Sequence, residues 1–300
     1  MKVLVTGGAG FIGSHLALAL EANGAEVIVL DNYLTGDDAN LSGFLGERIR
    51  GDAADYPFAN LGKLDAVFHE AAITDTTVID ERRMMRANVQ SHENVLRYAA
   101  KTGARVVYAS SAAVYGKGPS PMRESQKLEP ANVYGVSKMK MDALTERFLK
   151  DQPKSHVVGL RYFNVFGPRE DFKGDATSMV TKLANQMRSG KRPRIFKYGE
   201  QKRDFVYVKD AVRADLLALE APQSGIVNIG TGQATPFNEV IRILKQVLGT
   251  SHEPDYFDNP YSFYQNETQA DLTLAKKLIG YHPQFTTEEG IRDYLTRGTG

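Results

Sequence analysis

VLVTGGAGFIG, residues 3–13 of this 300-residue chain, joins an apolar run to three glycines at intervals of three. The apolar run predicts a strand, and Ser14-Glu21 predicts the helix that follows it. Gly7 allows a tight turn, Gly10 lets the backbone approach a diphosphate, and Gly13 lets the helix pack closely on the strand. Backbone N–H groups at such a helix N-terminus bind phosphate. The stretch therefore predicts a dinucleotide-binding turn.

An acidic residue ends the next apolar run. Glu26-Asp31 predicts a second strand, and Asp31 is placed to accept hydrogen bonds from the ribose hydroxyls of adenosine. The residues that follow include Asp37 and Asp38 but no lysine or arginine up to that point. Because Asp31 would repel a 2′-phosphate and no cation is near to offset it, we predict NAD in preference to NADP.

Composition excludes several classes of protein. The chain has 37 basic and 36 acidic residues, a formal net charge of +1, so it lacks the field that attracts nucleic acid or anionic lipid. We expect small molecules and further copies of itself, in a homo-oligomer, as partners. The absence of cysteine suits a reducing compartment, and neither a leader nor an apolar run near ~18 residues is present, so we expect a cytoplasmic enzyme. The six histidines lack the spacing of a metal site.

Short apolar runs alternate with helical patterns up to about residue 165, which predicts a Rossmann-type, doubly wound parallel sheet. The predicted strands are Lys2-Thr6, Glu26-Asp31, Ala66-Glu70, Arg105-Ser110 and His156-Phe163. Beyond Gly167-Pro168 we predict a helix at Ser178-Ser189, a strand and helix within Asp204-Glu220, a last strand at Ile226-Gly230 and a helix at Phe237-Leu248. We expect residues 1–166, with about 204–226, to form the dinucleotide-binding domain. Residues 167–203 and 227–300 are expected to form a smaller C-terminal α/β substrate-binding domain.

Tyr134 and Lys138 lie four residues apart at the start of a predicted helix and so share one face of it. An ammonium beside a phenol favours the phenolate, which would let Tyr134 act as acid or base near neutral pH. The spacing alone also fits a surface tyrosine beside a solvated lysine, and Tyr198 with Lys202 repeats it in a glycine-containing turn. The first pair is favoured because a buried-looking strand ends in the hydroxyls of Ser110 and Ser111, at the edge where such sheets bind ligands.

Several short motifs extend through the chain. They are Gly7-x-x-Gly10-x-x-Gly13, Asp31, Gly51-Asp52, His69-Glu70-Ala71-Ala72, ASSAAVYG at 109–116, Tyr134 with Lys138, and RYFNVFGP at 161–168. Together they resemble the extended short-chain dehydrogenase/reductases that modify nucleotide sugars. The resemblance implies a catalytic trio of Ser111, Tyr134 and Lys138, with Asp52 facing the adenine and Asn164 facing the sugar or its phosphates. Asn88 joins the candidates because a polar residue on its otherwise apolar helix needs a buried partner. The cofactor-binding candidates are Gly7, Gly10, Phe11, Ile12, Gly13, Asp31, Asn32, Asp52, Ala71, Ala72, Asn88, Tyr134 and Lys138.

Three further segments resemble the members of that family that invert an exocyclic carbon of a nucleotide-linked heptose. PREDFKG at 168–174 is similar to a loop that carries a second acid/base lysine, here Lys173. KRDFVYV at 202–208 is similar to a segment in which Arg203 would clamp phosphate, and YQNETQADL at 264–272 to a substrate-facing tail. Lys182 stands where the resemblance implies a histidine of the substrate pocket. The substrate-binding candidates are Ser111, Asn164, Lys173, Lys182, Phe196, Arg203 and Tyr264.

The resemblance implies an epimerase that oxidises a nucleotide sugar with NAD and returns the hydride to the opposite face. Inversion at an exocyclic carbon suits two acid/base groups, and Tyr134 with Lys173 could be that pair. This favours a heptose 6-epimerase over a UDP-hexose 4-epimerase, in which the whole sugar turns over a single base. A 4,6-dehydratase is disfavoured because no acidic pair adjoins Tyr134. A non-catalytic nucleotide-sensing protein is disfavoured because Ser111, Tyr134 and Lys138 are all present.

Overall fold

The computed structural model describes residues 1–259 and 265–297. The strands are β1 Lys2–Thr6, β2 Glu26–Asp31, β3 Glu47–Arg50, β4 Ala66–His69, β5 Arg105–Ser111, β6 Val157–Tyr162, β7 Asn164–Phe166, β8 Arg194–Phe196, β9 Lys202–Arg203, β10 Phe205–Tyr207, β11 Gly225–Ile229, β12 Thr235–Pro236 and β13 Asp255–Phe257. The helices are α1 Phe11–Ala22, α2 Glu81–Met85, α3 Ser91–Thr102, α4 Val133–Asp151, α5 Met179–Arg188, α6 Val208–Leu219, α7 Phe237–Leu248, α8 Thr273–Ile279 and α9 Thr287–Arg297.

Seven parallel strands form the main sheet, in the order β11-β6-β5-β4-β1-β2-β3. The chain builds outward from β1 in one direction and then in the other, so the order reverses between β1 and β4. Every residue of β6 is buried, as expected for a parallel strand covered on both faces. The predicted doubly wound α/β fold is confirmed, and the reversal marks the edge where such sheets bind ligands.

Side chains that alternate along β1 point into two separate cores. Val3 and Val5 pack with apolar residues of α1 and α6 on one face, whereas Leu4 packs with residues of α3 and α4 on the other. Each helix layer therefore covers one face of the sheet, and the carboxyl ends of the strands stay open between the layers.

Smaller sheets lie outside the main one, where β7 pairs with β10, β9 with β12, and β8 with β13. The prediction that Ile226-Gly230 is the last strand is wrong, because β12 and β13 follow it. β3 was not predicted because its sequence, Glu-Arg-Ile-Arg, has one apolar residue and lies at the sheet edge. β8 and β13 have three residues each, too few for an alternation pattern.

The larger core continues from Val3 in β1 to Leu295 in α9. The sheet and the C-terminal region therefore share apolar packing, and the boundaries of the two expected domains stay a prediction. In the part of the chain that the structure describes, no helix is long and apolar enough to cross a bilayer.

Candidate active site

A pocket of about 680 Å³ opens at the carboxyl ends of the sheet strands and extends to the C-terminal region. This is the size of a cofactor or small-molecule site. Its wall holds seventeen of the nineteen predicted site residues that the structure describes. They are Gly7, Gly10, Phe11, Ile12, Gly13, Asp31, Asn32, Asp52, Ala71, Ala72, Ser111, Tyr134, Lys138, Asn164, Lys173, Phe196 and Arg203.

The glycine turn forms a tight cradle at one end of the pocket. Gly7 has φ +68°, and a Cβ there would lie 2.7 Å from the backbone of Ala71. A Cβ on Gly13 would lie 2.2 Å from the carbonyl oxygen of Gly7, which keeps α1 close to β1. The α1 N-cap, Gly10, has no side chain to cap the first turn. These residues fit the diphosphate of a dinucleotide, because the N–H groups of that turn face the pocket wall without a side chain in the way.

Asp31 anchors this cradle. Its carboxylate accepts hydrogen bonds from Ala9 N at 2.9 Å and from Tyr33 N at 2.7 Å, and burial raises its pKa. The predicted absence of a nearby cation is wrong. Arg50 is the register partner of Asp31 and stacks 4.8 Å from the Tyr33 ring centroid, and Arg48 pairs with Asp38 at 3.5 Å. Both arginines belong to β3, the strand that was not predicted.

Asp52 lies just after β3 and lines the same end of the pocket. Its carboxylate accepts from Ala54 N at 2.9 Å and pairs with Arg86 at 3.2 Å. Asn32 contacts it at 3.4 Å. These contacts fix the acid where the resemblance implies the adenine.

Asn88 does not reach the pocket. It lies in a π-helical turn, Arg86–Gln90, between α2 and α3, and it is fully buried. Its amide accepts from Ile73 N at 2.8 Å and donates to Ile73 O at 3.1 Å and to Ser137 Oγ at 2.9 Å. Asn88 therefore supports the pocket instead of lining it, because its hydrogen bonds connect the loop after β4 to α4.

Ser111, Tyr134 and Lys138 come together as predicted. Ser111 ends β5 and hydrogen-bonds the Tyr134 hydroxyl. Lys138 Nζ lies 5.9 Å from the Tyr134 ring centroid and donates to Ala109 O at 2.6 Å. Asn132 caps α4 by accepting from Gly135 N at 2.8 Å, which fixes the helical turn that carries both residues.

The charges at this trio differ from the sequence prediction. Burial raises the pKa of Tyr134, and the hydrogen bond from Ser111 only partly offsets this rise. The prediction that the phenolate is favoured is therefore wrong for the protein alone. Burial lowers the pKa of Lys138 to about 8, against the carboxylates of Glu70 and Asp142. Desolvation therefore destabilises the Lys138 ammonium more than the two carboxylates stabilise it.

Glu70 is a pocket residue for which the sequence suggested no role. It follows β4, and its Oε1 is buried without a hydrogen-bond partner among the described residues. Burial raises its pKa to about 7, while the Lys138 ammonium acts in the opposite direction. Its place beside Ala71 and Ala72 in the quoted motif was the available signal.

Lys173 lies on a short 3-10 segment, Asp171–Ala176, about 160 residues along the chain from the glycine turn yet in the same pocket. Its Nζ is 4.9 Å from the Phe11 ring centroid and 3.6 Å from a carboxylate oxygen of Glu170. Burial lowers its pKa, and Glu170 opposes this. An amine in this setting can exchange a proton with a ligand in the pocket.

Further parts of the wall come from β7 and the C-terminal region. Asn164 accepts from Thr268 Oγ1 at 3.4 Å, and the Phe196 ring packs edge-on against Phe257 with centroids 4.9 Å apart. Arg203 Nη1 donates to Lys202 O at 2.7 Å while lining the pocket. Phe257 was not among the predicted residues because its three-residue strand gave no signal.

Of the predicted substrate residues that the structure describes, Lys182 is not in this wall. Lys182 lines a separate shallow depression and donates to Asp175 O at 2.6 Å, so the structure does not bring it into the pocket wall with the other candidates. Tyr264 lies outside the described residues. Among residues 1–259 and 265–297, no group of three or more side chains is arranged to hold a metal ion.

Comparison with known proteins gives consistent matches. Residues 3–230 match the NAD dependent epimerase/dehydratase family. An ADP-L-glycero-D-manno-heptose-6-epimerase of Helicobacter pylori is 40% identical with a TM-score of 0.91, over 99% of this chain and 95% of that one. A UDP-glucose 4-epimerase of Thermotoga maritima, solved with UDP-glucose, is 33% identical with a TM-score of 0.92, over 100% and 99%. A UDP-glucose 4-epimerase of Thermus thermophilus, solved with NAD, is 31% identical with a TM-score of 0.88, over the whole of both chains.

Proposed function

The chain belongs to the NAD dependent epimerase/dehydratase family, and on that premise we propose that it inverts the exocyclic C6 of an ADP-linked glyceromanno-heptose. Membership confirms three predictions: the short-chain dehydrogenase/reductase resemblance, NAD as the cofactor, and an isomerase that acts on nucleotide sugars. The particular sugar is the new step, because the TM-scores of the 6-epimerase and the Thermotoga 4-epimerase, 0.91 and 0.92, do not separate them.

The observation that carries the choice is a second proton-exchanging group in the pocket. Tyr134 and Lys173 come from different elements and both line it. An exocyclic carbonyl can present either face to one hydride donor by rotating about a single bond, so a proton donor is needed for each orientation. A 4-epimerase that turns the whole sugar needs one such group. The 40% identity to the Helicobacter 6-epimerase supports the same choice.

Each residue then has a defined task. NAD, when bound, supplies the hydride acceptor and later the donor. Tyr134 would hold or release the proton of the sugar hydroxyl in one orientation, with Ser111 fixing its hydroxyl and Lys138 supplying positive charge. Lys173 would do the same in the other orientation. Arg203 would pair with the substrate pyrophosphate.

The test compares the parent with Lys173→Met on ADP-glyceromanno-heptose and on UDP-glucose. We expect the parent to epimerise the heptose and the variant to lose about 10²–10⁴-fold in kcat. Lys101→Met, an exposed lysine at the end of α3, is the matched control and should keep parental activity.

The second candidate, a UDP-hexose 4-epimerase, is favoured by the similarity to the Thermotoga enzyme. Turnover of UDP-glucose that survives Lys173→Met, without activity on the heptose, would establish it in place of the first. An aldehyde analogue of the heptose gives a finer measurement. Lys173→Met loaded with NADH should still reduce it on the side where Tyr134 donates the proton.

We also propose that the enzyme acts in the cytoplasm as a homo-oligomer. The absence of cysteine supports a reducing compartment, and the net charge of +1 favours further copies of the chain over nucleic acid or anionic lipid as macromolecular partners. Cell fractionation and light scattering during gel filtration measure them. A monomer at micromolar concentration would refute the oligomer.

A further inference from the structure

Glu170 is a fully buried carboxylate three residues before Lys173. It lies in the connection between β7 and α5, where a charged side chain without partners would be costly. Its side chain accepts hydrogen bonds from four groups. They are Gly167 N at 3.0 Å, Ser178 N at 2.7 Å, Ser178 Oγ at 2.8 Å and Thr181 Oγ1 at 3.0 Å. One carboxylate thus joins the end of β7 to the first turn of α5.

The same carboxylate is the counter-ion of Lys173. Glu170 Oε2 lies 3.6 Å from Lys173 Nζ, and the Lys173 side chain is 18% exposed whereas that of Glu170 is 0% exposed. The Phe11 ring lies on another side of the ammonium, 4.9 Å from it. The Lys173 amine is therefore held between a fixed anion and a ring of the cofactor-binding turn, at the pocket wall.

The Lys173 backbone depends on Glu170 as well. Lys173 N donates to Glu170 O at 3.0 Å, which closes the first turn of the 3-10 segment. The other charged group that acts on the ammonium is Lys182, which lowers its pKa as burial does, while Glu170 raises it. Glu170 therefore opposes both effects.

We propose that Glu170 is a positioning residue for Lys173, in that its buried carboxylate fixes where the ammonium stands in the pocket and keeps it charged before proton transfer. The inference rests on the proposed function, in which Lys173 is the second acid/base group. Glu170 itself does not line the pocket.

A double-mutant cycle of Glu170→Gln and Lys173→Met separates this role from a purely structural one. Because a displacement near 1 Å can cost about 10²-fold, we expect Glu170→Gln to lower kcat on ADP-glyceromanno-heptose by about that factor with KM changed less than about threefold. In the Lys173→Met background the same change should lower kcat by less than about twofold. Equal losses in both backgrounds would overturn the inference.

The pH profile gives a second readout. With a neutral amide at position 170 the ammonium loses its counter-ion, so the alkaline limb of kcat should move to lower pH than in the parent. Glu170→Asp retains the charge on a side chain one methylene shorter, and it should leave that limb nearer the parent. An unmoved limb in Glu170→Gln would contradict the inference.

Folding is controlled with Asp210→Asn, which alters another fully buried carboxylate that accepts backbone N–H groups, those of Gln284 and Phe285. It should lower the melting temperature without a kcat loss that depends on Lys173. If Glu170→Gln does not fold, the cycle is run with Glu170→Asp, where a Lys173-dependent loss supports the inference and a Lys173-independent one overturns it. Full activity of Lys173→Met alone would instead reject the proposed function, so the two failures are distinct.

Discussion

The Tyr134 hydroxyl is held by Ser111 in a setting that raises its pKa. The protein alone therefore keeps the phenol protonated, and positive charge must enter the pocket before Tyr134 can act as a base near neutral pH. Burial lowers the pKa of Lys138 to about 8, so its ammonium is still mostly protonated near neutral pH and supplies positive charge beside Tyr134. The type and spacing of the two residues were readable from the sequence, but the balance of burial against charge depends on Glu70 and Asp142, which the fold brings in from other elements.

Tyr134→Phe removes one hydroxyl from the pocket and none from the core. We expect turnover to fall by about 10²–10⁴-fold while NAD binding and the melting temperature stay near those of the parent. Tyr198→Phe is the matched control, because Tyr198 is 69% exposed and lies outside the pocket wall. Activity of Tyr134→Phe within a few-fold of the parent would show that another group transfers the proton.

Glu70→Gln tests the buried carboxyl through folding. Because the pKa of Glu70 is about 7 in the folded protein and near 4.5 in the unfolded chain, the folded state binds its proton more tightly between those values. Raising the pH through that window therefore lowers the free energy of unfolding, by the order of 1–3 kcal/mol. Glu70→Gln should lack this loss. Urea unfolding at several pH values from 5 to 8 measures it, and parallel curves for the two proteins would refute it. Burial lowers the pKa of His69 and of His92 in both proteins, so the contributions of these histidines to the pH dependence cancel in the difference.

At the scale of elements, the β1 turn, β2 and α4 follow from local patterns, since each has a glycine turn, an apolar run or an N-cap. β3 does not, because an edge strand with the sequence Glu-Arg-Ile-Arg is stabilised by its pairing with β2 rather than by its own apolar face. The omission mattered, since β3 places Arg50 beside Asp31. The π turn at Arg86–Gln90 was not predictable from the sequence either. It directs Asn88 inward through contacts with Ile73 and Ser137, which lie on other parts of the fold.

Asn88→Ala tests this π turn. It leaves the backbone N–H and C=O of Ile73 without their partner in a buried site, which should lower the free energy of unfolding by about 2–3 kcal/mol. Because the loop after β4 forms part of the pocket wall, the Kd for NAD should rise as well. Asn94→Ala, at a partly buried asparagine on α3, is the control for helix context. An unchanged Kd would show that Asn88 contributes to the stability of the fold and not to NAD binding.

We expect Asp31, with its register partner Arg50, to set the cofactor preference at the β2–β3 edge. We expect NAD to bind at least about tenfold more tightly than NADP, because the Asp31 carboxylate opposes a 2′-phosphate. Asp31→Asn should narrow the ratio, and Arg50→Ala should weaken NADP more than NAD. Titration calorimetry on cofactor-stripped protein measures all three. Tighter binding of NADP by the parent would contradict the prediction.

At the scale of the whole molecule, the pocket is assembled from both parts of the chain, and the larger apolar core extends through both parts. The fold class and most of the pocket wall were predictable, because glycine turns, apolar runs and the quoted motifs are local. The position of Lys182 was not predictable, because the packing of α5 decides which face of that helix points towards the pocket.

A shared core predicts a single cooperative unfolding transition. Val5 of β1 and Leu295 of α9 belong to the same apolar cluster, so neither region should melt alone. Near-UV and far-UV circular dichroism should therefore give coincident melting curves. Saturating NAD should raise the melting temperature measured by each method by the same amount. Two separated transitions would show that the regions unfold independently.

The position of β11 in the sheet has a consequence for synthesis of the chain. β11 covers the outer edge of β6, yet β6 ends at Tyr162 and β11 begins at Gly225. While the ribosome makes the intervening residues, the backbone donors and acceptors along the outer edge of β6 have no partner strand, although β6 is buried in the folded protein. The nascent enzyme is therefore most exposed to aggregation after residue 162 has emerged and before residue 229 has, and that interval is when a chaperone would protect it best.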